Sequence, residues 1–369
     1  LAAARGRCPW TGAPLGLDAA LEAQALLRAA ARRPEGRAGL VAMSPWKRGC
    51  LRPFLTGPDG PPAAVRSVAE ARARGLTPVV WGAADPDPDA LRVEDGFLRS
   101  VGLGLRHAPP ASLAIARGRP HFDATGPNAF EATVAAADFA PALLARAEAL
   151  RARVVALGLT KYNLAGGASP PDAGGRMALL VAGQVEDDAS IRLGARAVRT
   201  NLALLEAARA RFPDAFLLYR PHPDVLTGLR PGAVPPAAVA RLADAEARGL
   251  SAEACLAWAD RVASVTSLIG FEALMRGKAA TCFGRPFYAG WGLTDDADPP
   301  PRPRELSLAE LIAATLILHP VYVDPATGLP APPEVIVEAL AAERARARRP
   351  VARLRRLWRE SVSRILNLV

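Results

Sequence analysis

Strand-like and helix-like stretches alternate along this chain, and the spacing of apolar residues changes with them. Leu21, Ala25, Leu26 and Ala29 recur at helical spacing and predict a helix over 17–33. Residues 39–43 are a short apolar run and predict a buried strand. Residues 63–74 read as a helix capped by Gly75, and 77–81 as the strand after it. Pro78 counts slightly against that strand, because proline cannot donate to a ladder. A proline-rich turn follows at 85–89. Residues 111–124 predict a β-hairpin about Arg117-Gly118-Arg119, and 127–157 predict helix broken near Pro141.

Gly, Pro, Ser and Asp crowd residues 166–175, the composition of a linker, so a domain boundary is expected there. The alternation then resumes, with strands at 177–182, 215–219, 261–265 and 279–283. Helices are predicted at 192–211, 252–259 and 268–276. This order predicts an α/β architecture with parallel sheets. The expected layout is an N-terminal Rossmann-like domain over 1–165, a second over 176–320, and a basic helical tail over 321–369. Strand ends at 183, 220, 265 and 283 then carry polar loops to one edge, where open α/β sheets bind ligands.

Composition narrows the class. With 369 residues, 50% hydrophobic and 22% charged, the chain suits two globular domains. Aromatics are only 5%, so Leu, Val and Ala must build the cores. The net charge of +10 comes from arginine far more than lysine, and favours anionic ligands: nucleotides, acidic glycans or anionic lipid. Nine arginines fall between Glu343 and Arg364. In that segment Leu354, Leu357, Trp358, Val362, Ile365 and Leu366 follow helical spacing, which suits packing across the domains or contact with an anionic membrane surface. Cys8, Cys50, Cys255 and Cys282 show no CxxC spacing, so reduced thiols are expected rather than zinc or a disulfide framework. No apolar run reaches the roughly 18–20 residues of a membrane span, and no signal peptide is visible. The chain begins at Leu1 rather than Met, as a processed or excised piece would.

Four polar motifs stand out against this alanine-rich background: Glu94-Asp95-Gly96, Gln184-Val185-Glu186-Asp187-Asp188, Arg220-Pro221-His222-Pro223-Asp224 and Thr266-Ser267. Carboxylates of this kind do acid, base or nucleophile work on a sugar. Arg220, His222 held between Pro221 and Pro223, and the hydroxyls of Thr266 and Ser267 suit a nucleotide phosphate. Thr266 and Ser267 also suit plain helix capping, and Gln184–Asp188 suits negative charge at a helix start. Glu272, one turn on, suits ribose hydroxyls or a solvated helix face. Arg99 suits the carboxylate of an acidic sugar. His107, His121 and His319 lack such a setting and read as structural. Residues 284–294 form an aromatic, glycine-rich loop that reads equally as a packing plug between domains or as a border to the nucleotide and acceptor.

The runs RVEDGFLRSVGLGL, TKYNL, GQVEDDASI, YRPHPDV, VTSLIGFEAL and FGRPFYAGWGLTDD resemble the capsule polysaccharide biosynthesis and export family. The resemblance covers about residues 39 to 330. That family contains retaining β-Kdo transferases that build the poly-Kdo linker of lipid-anchored bacterial capsules. Its founding members carry two modules in tandem. This chain holds one, more similar to the C-terminal module, so it is an excised half or a single-module relative.

The resemblance implies a GT-B-like fold, two Rossmann-like domains across a cleft, with CMP-Kdo as donor and no cofactor or metal. It implies Asp188 as nucleophile, matching the last acid of the family's Gln-x-x-x-Asp pattern, and Glu94 or Asp95 as acid/base. Gln184, Arg220, His222, Pro223, Thr266, Ser267 and Glu272 are the expected donor-binding residues. Arg99 and Lys161 are expected on the acceptor or a sugar carboxylate. The expected partner is a lipid-linked Kdo acceptor, not nucleic acid, and the expected place is the cytoplasm, peripheral on the inner face of the inner membrane. A sialyl-type transferase using another CMP-sugar and a non-catalytic capsule export protein are the alternatives.

Overall fold

A computed structural model describes residues 6–31, 34–84, 87–103 and 108–347. They fall into two compact units. One holds the described residues up to Pro120 together with those from Leu316 onward, and the other spans His121–Thr315.

The first unit opens with a small antiparallel pair, β1 (Gly6–Arg7) and β2 (Pro14–Leu15), and helix α1 (Leu17–Ala31). Strand β3 (Ala38–Val41) leads through Ser44, the N-cap of helix α2 (Pro45–Leu55), whose side chain accepts from Lys47 N. Strand β4 (Ala63–Val65), helix α3 (Val68–Ala73), and strands β5 (Thr77–Trp81), β6 (Leu91–Asp95) and β7 (Ser112–Ala116) follow. The sheet runs β7-β6-β5-β3-β4, parallel except for the β6–β7 pair. Leu51 and Leu55 of α2 close the core on Leu40, Val79, Val93 and Leu113.

The second unit begins with helices α4 (Ala129–Ala136) and α5 (Pro141–Ala156), the second starting at Pro141 as expected of proline at a first helical position. Its strands and helices then alternate: β8 (Ala178–Ala182), α6 (Ala189–Gly194), α7 (Asn201–Arg211), β9 (Phe216–Arg220), α8 (Pro223–Leu226), α9 (Pro236–Leu242), β10 (Ala245–Glu246), α10 (Ala252–Trp258), β11 (Arg261–Ser264), α11 (Ile269–Met275), β12 (Ala279–Cys282), β13 (Asp295–Asp296) and α12 (Leu308–Ile312). All six strands are parallel in the order β10-β9-β8-β11-β12-β13. The central strand Ala-Leu-Leu-Val-Ala explains why. Leu179 and Val181 enter one core with Leu204, Leu205 and Leu217, while Leu180 and Ala182 enter another with Leu256, Val262 and Ile269. A strand buried on both faces must be apolar throughout.

The chain returns to the first unit as β14 (Pro320–Tyr322), antiparallel to β7, and ends its described part in α13 (Pro333–Ala347). The apolar positions from Leu354 to Leu366 lie outside the described residues, as does His107.

Several expectations need correction. The units divide at Pro120 rather than at 166–175, because α5 and the residues after it fasten to the second unit. Arg151 donates to Met275 O, Lys161 N to Glu272, and Arg276 to Leu159 O. The expected tail is not a separate element at its start, since β14 joins the first sheet. Residues 63–65 are a strand rather than helix: they pair with β3, and Ser67 caps a helix that starts after them. The expected hairpin has one strand, β7, whose neighbours are β6 and β14. The helix expected over 192–211 is two, since Asp188 and Thr200 each cap their own start. Pro78 sits in an interior strand at no cost to the ladder. Thr77 N bonds Arg37 O on the β3 side, so the missing donor at 78 faces β6, where pairing begins only at Val79.

Candidate functional site

The second sheet is extended on one side of β8 by β9 and β10, and on the other by β11, β12 and β13. Loops after β8 and β11 therefore diverge, and such a switch point is where open α/β sheets bind ligands. Gln184 follows β8 and Thr266 follows β11, and the two join directly. Gln184 Nε2 donates to Thr266 Oγ1 at 3.0 Å, and Thr266 N donates to Gln184 Oε1 at 2.8 Å. Asn201, buried at the start of α7, braces the loop: its Oδ1 accepts from Gln184 N, and its Nδ2 reaches the carbonyls of Gln184 and Gly232. Gly232 has φ of 128°, and a Cβ there would lie 2.7 Å from Asn201 Nδ2.

The three acids after Gln184 part company. Glu186 accepts from Asn201 N, and Asp187 is paired with Arg230 at 2.6 Å. Asp188 is exposed and caps α6, with Oδ1 accepting from Ser190 N at 2.8 Å and Ser190 Oγ at 2.7 Å. Thr266 Oγ1 in turn donates to Ser190 Oγ at 3.2 Å, so Asp188, Ser190, Thr266 and Gln184 form one chain of contacts.

Beside it, β9 ends on Arg220, whose Nε is buried without a hydrogen-bond partner. His222 caps α8: its Nδ1 accepts from Asp224 N at 3.1 Å, and Pro223 occupies the first helical position. Burial lowers the His222 pKa to about 4, helped by the positive charges of Lys161 and Arg220 and opposed by Asp188. A ring nitrogen that accepts from backbone carries no proton, so the neutral ring presents Nε2–H. Tyr162 stands edge-on to His222 at 6.5 Å between ring centroids, with Lys161 Nζ 5.2 Å from the tyrosine ring centre. Glu272 is buried and accepts from Lys161 N at 2.7 Å, and burial raises its pKa against the pull of Arg276. One oxygen of the carboxylate expected on a ribose thus holds the Lys161 turn.

Ser267 Oγ accepts from Ile269 N at 3.4 Å, a local contact at the start of its own helix. Its carbonyl accepts from Tyr288 OH at 2.6 Å. A Cβ on Gly270 would lie 2.2 Å from that hydroxyl, which is why glycine sits there. Phe287, Tyr288 and Trp291 are buried, and Phe287 packs on Phe130 and Phe271. The aromatic loop is therefore a packing plug inside the second unit.

In the first unit, Glu94 and Asp95 end β6, paired with Ala114 and Leu113 of β7. Asp95 N donates to Glu94 Oε1 at 2.9 Å. Asp95 Oδ2 meets Arg99 Nε at 2.5 Å, with the arginine side chain only 3% exposed. Arg99 also donates to Ser100 Oγ and Ala108 O. The guanidinium expected on a sugar carboxylate is thus engaged internally. Gly96 is required by close approach, because a Cβ would fall 2.9 Å from the backbone carbon of Ser112.

The structure gathers Gln184, Asp188, Thr266, Arg220, His222, Lys161 and Glu272 on the second unit, and Glu94, Asp95 and Arg99 on the first. Asn201, Tyr162 and Tyr288 join them without having been expected. Asn201 acts on the carbonyls of Gln184 and Gly232, far away in sequence, which no local pattern marks, while Tyr288 lay inside the aromatic loop over 284–294. Tyr162 lay inside the TKYNL run.

Residues 170–322 match the capsule polysaccharide biosynthesis protein family. The capsule polysaccharide modification protein LipA of Neisseria meningitidis is 40% identical over 301 residues, 78% of this chain and 43% of LipA. The lipopolysaccharide-processing protein LpsZ of Rhizobium meliloti is 42% identical over 260 residues, 69% of this chain and 59% of LpsZ. The chain thus spans less than two thirds of either relative. Two solved structures from Thermosulfurimonas dismutans KpsC are similar. A β-Kdo 2,7 transferase has a TM-score of 0.69 and 31% identity, covering 83% of this chain and 99% of that one. A β-Kdo 2,4 transferase has a TM-score of 0.71 and 30% identity, covering 83% and 98%. Neither linkage is favoured by these figures. With its two α/β units in a GT-B-like fold and the shared polar motifs, this chain belongs to the capsule polysaccharide biosynthesis family, alongside capsule β-Kdo transferases.

Proposed function

We propose that this chain is a retaining β-Kdo transfer module that takes CMP-Kdo as donor and extends a lipid-linked, Kdo-terminated glycan. The observation that carries the reading is the switch point of the second unit, where Gln184, Thr266 and neutral His222 assemble in a chain that matches two β-Kdo transferases over nearly their whole length. His222 Nε2–H, Arg220 and Lys161 supply donors and positive charge to the phosphate of CMP as it leaves. On this reading no metal takes part, and a chelator leaves the rate unchanged.

Retention by double displacement needs a nucleophile and a separate base. Both bonds from Ser190 fall on Asp188 Oδ1 and hold the carboxylate in one orientation, which makes Oδ2 the attacking oxygen. Oδ2 forms a bond to the anomeric carbon as its bond to the CMP phosphate oxygen breaks. The acceptor hydroxyl then gives its proton to a separate base as its oxygen displaces Asp188 from the anomeric carbon. Of the two acids that end β6, Asp95 holds Arg99 and Glu94 accepts from Asp95 N, so both are engaged within the first unit.

Incubation with CMP-Kdo and a short Kdo-terminated acceptor, with the linkage read by NMR, tests the reading. Transfer of β-Kdo, its loss in Asp188→Ala and a Kdo adduct on residue 188 are expected. Transfer from CMP-sialic acid alone, or an active Asp188→Ala protein, overturns it.

A further inference from the structure

The first sheet also reverses its strand order, and the reversal lies between β3 and β5. From β3 the chain continues to β4 on one side, then crosses to β5, β6 and β7 on the other. Trp81 ends β5 at this point, and Lys47, shortly after β3, places its Nζ 4.3 Å from the centre of the Trp81 ring. Arg48 follows it. Both side chains are half-buried, and neither forms an ion pair with a carboxylate among the described residues. No acid occupies the first turn of α2, where cations oppose the helix dipole. Helix stability therefore does not explain two cations there. They are also absent from the core, which α2 builds with Leu51 and Leu55. The backbone at the same corner is unusual: Ala42, between β3 and α2, has φ of 50°, a conformation that side chains other than glycine rarely adopt. Arg99, the cation that the sequence offers for an acidic sugar, is held by Asp95 inside the unit.

We infer that Lys47 and the Trp81 ring form a subsite for the carboxylate of an acidic sugar at the switch point of the first unit. The inference rests on the reading of this chain as a Kdo transferase for its ligand, an acceptor sugar bearing a carboxylate. The ammonium, held by the ring rather than by an acid, meets the carboxylate without first breaking an ion pair.

The test compares the wild-type protein with Lys47→Gln, using a Kdo-terminated acceptor and the same acceptor with its carboxylates reduced to alcohols. The wild type is expected to prefer the carboxylated acceptor. The variant is expected to show at least a tenfold higher KM for it, an unchanged KM for CMP-Kdo, and no preference between the two acceptors. Thermal melting establishes that the variant is folded. A preference equal to the wild type's overturns the inference and leaves the transferase reading standing. If the wild type transfers no Kdo, that reading fails, and calorimetric binding of the two glycans decides the subsite. Carboxylate-dependent binding lost in the variant supports it, while equal binding or none overturns it.

Discussion

Each sheet reverses its strand order once, at β3/β5 in the first unit and β8/β11 in the second, and the two places are furnished differently. In the second, neutral groups close on one another beside the charged Asp188, Arg220 and Lys161: Gln184 and Thr266 exchange two hydrogen bonds, Asn201 braces them, and His222 is uncharged near neutral pH. In the first, the chemistry is ionic. Lys47 lies over Trp81, and an Asp95–Arg99 pair is buried beneath the end of β6. The same topological position holds a neutral cradle among charges in one unit and a cation against an aromatic ring in the other. Topology fixes where a ligand approaches, and side chains fix which ligand it is.

The largest way to break this comparison is through the buried ion pair. Arg99→Leu leaves the Asp95 carboxylate buried without its partner and is expected to cost about 3 kcal/mol in urea unfolding, with Asp95→Asn/Arg99→Leu recovering much of it. An effect below about 1 kcal/mol would show that the pair is solvated.

Acid sharpens the contrast between two histidines. His222 in the second unit and His319 in the first both have pKa values lowered to about 4 by burial. Between pH 6.5 and about 4 the unfolded chain binds protons that the folded one refuses. Stability is therefore full above 6.5 and falls as pH drops through that window, by up to about 3 kcal/mol for each ring. Unfolding followed against pH should show the slope reduced in both His319→Gln and His222→Gln. Only the second should also weaken CMP binding.

The smallest effect concerns the neutral cradle. Gln184→Ala strips the acceptor from Thr266 N, at an expected cost of about 2 kcal/mol. If that loss falls on the bound state, the KM for CMP-Kdo rises roughly tenfold or more while the acceptor KM is unchanged. An equal rise in both would mean that the two switch points do not serve separate ligands.

Much of the second unit was legible along the chain. Ala178–Ala182 is apolar on both faces, Gln184, Arg220 and Thr266 lie at or just past strand ends, and Pro141 marks a helix start, whereas the start at Thr200 was hidden inside one expected helix. Less of the first unit was. Ala63–Val65 reads as helix until its pairing with β3 is known, and β14, like β10 and β13 of the second unit, is too short for any period to show. The boundary was misplaced because a Gly- and Pro-rich stretch marks an irregular segment, whether or not two cores meet there.

Local order decided by the sequence alone includes the alternation of strands and helices, the parallel second sheet, and the residues brought to its edge. Hydrophobic period and capping residues act over a few neighbours, so they can be read in one dimension. Only the tertiary structure showed that Arg99 is held by Asp95, that Glu272 supports the Lys161 turn, and that Lys47 lies against Trp81. Whether a charged side chain is available or engaged depends on partners brought by the fold, from as near as four residues to more than a hundred away, and that is settled by packing and desolvation rather than by residue type.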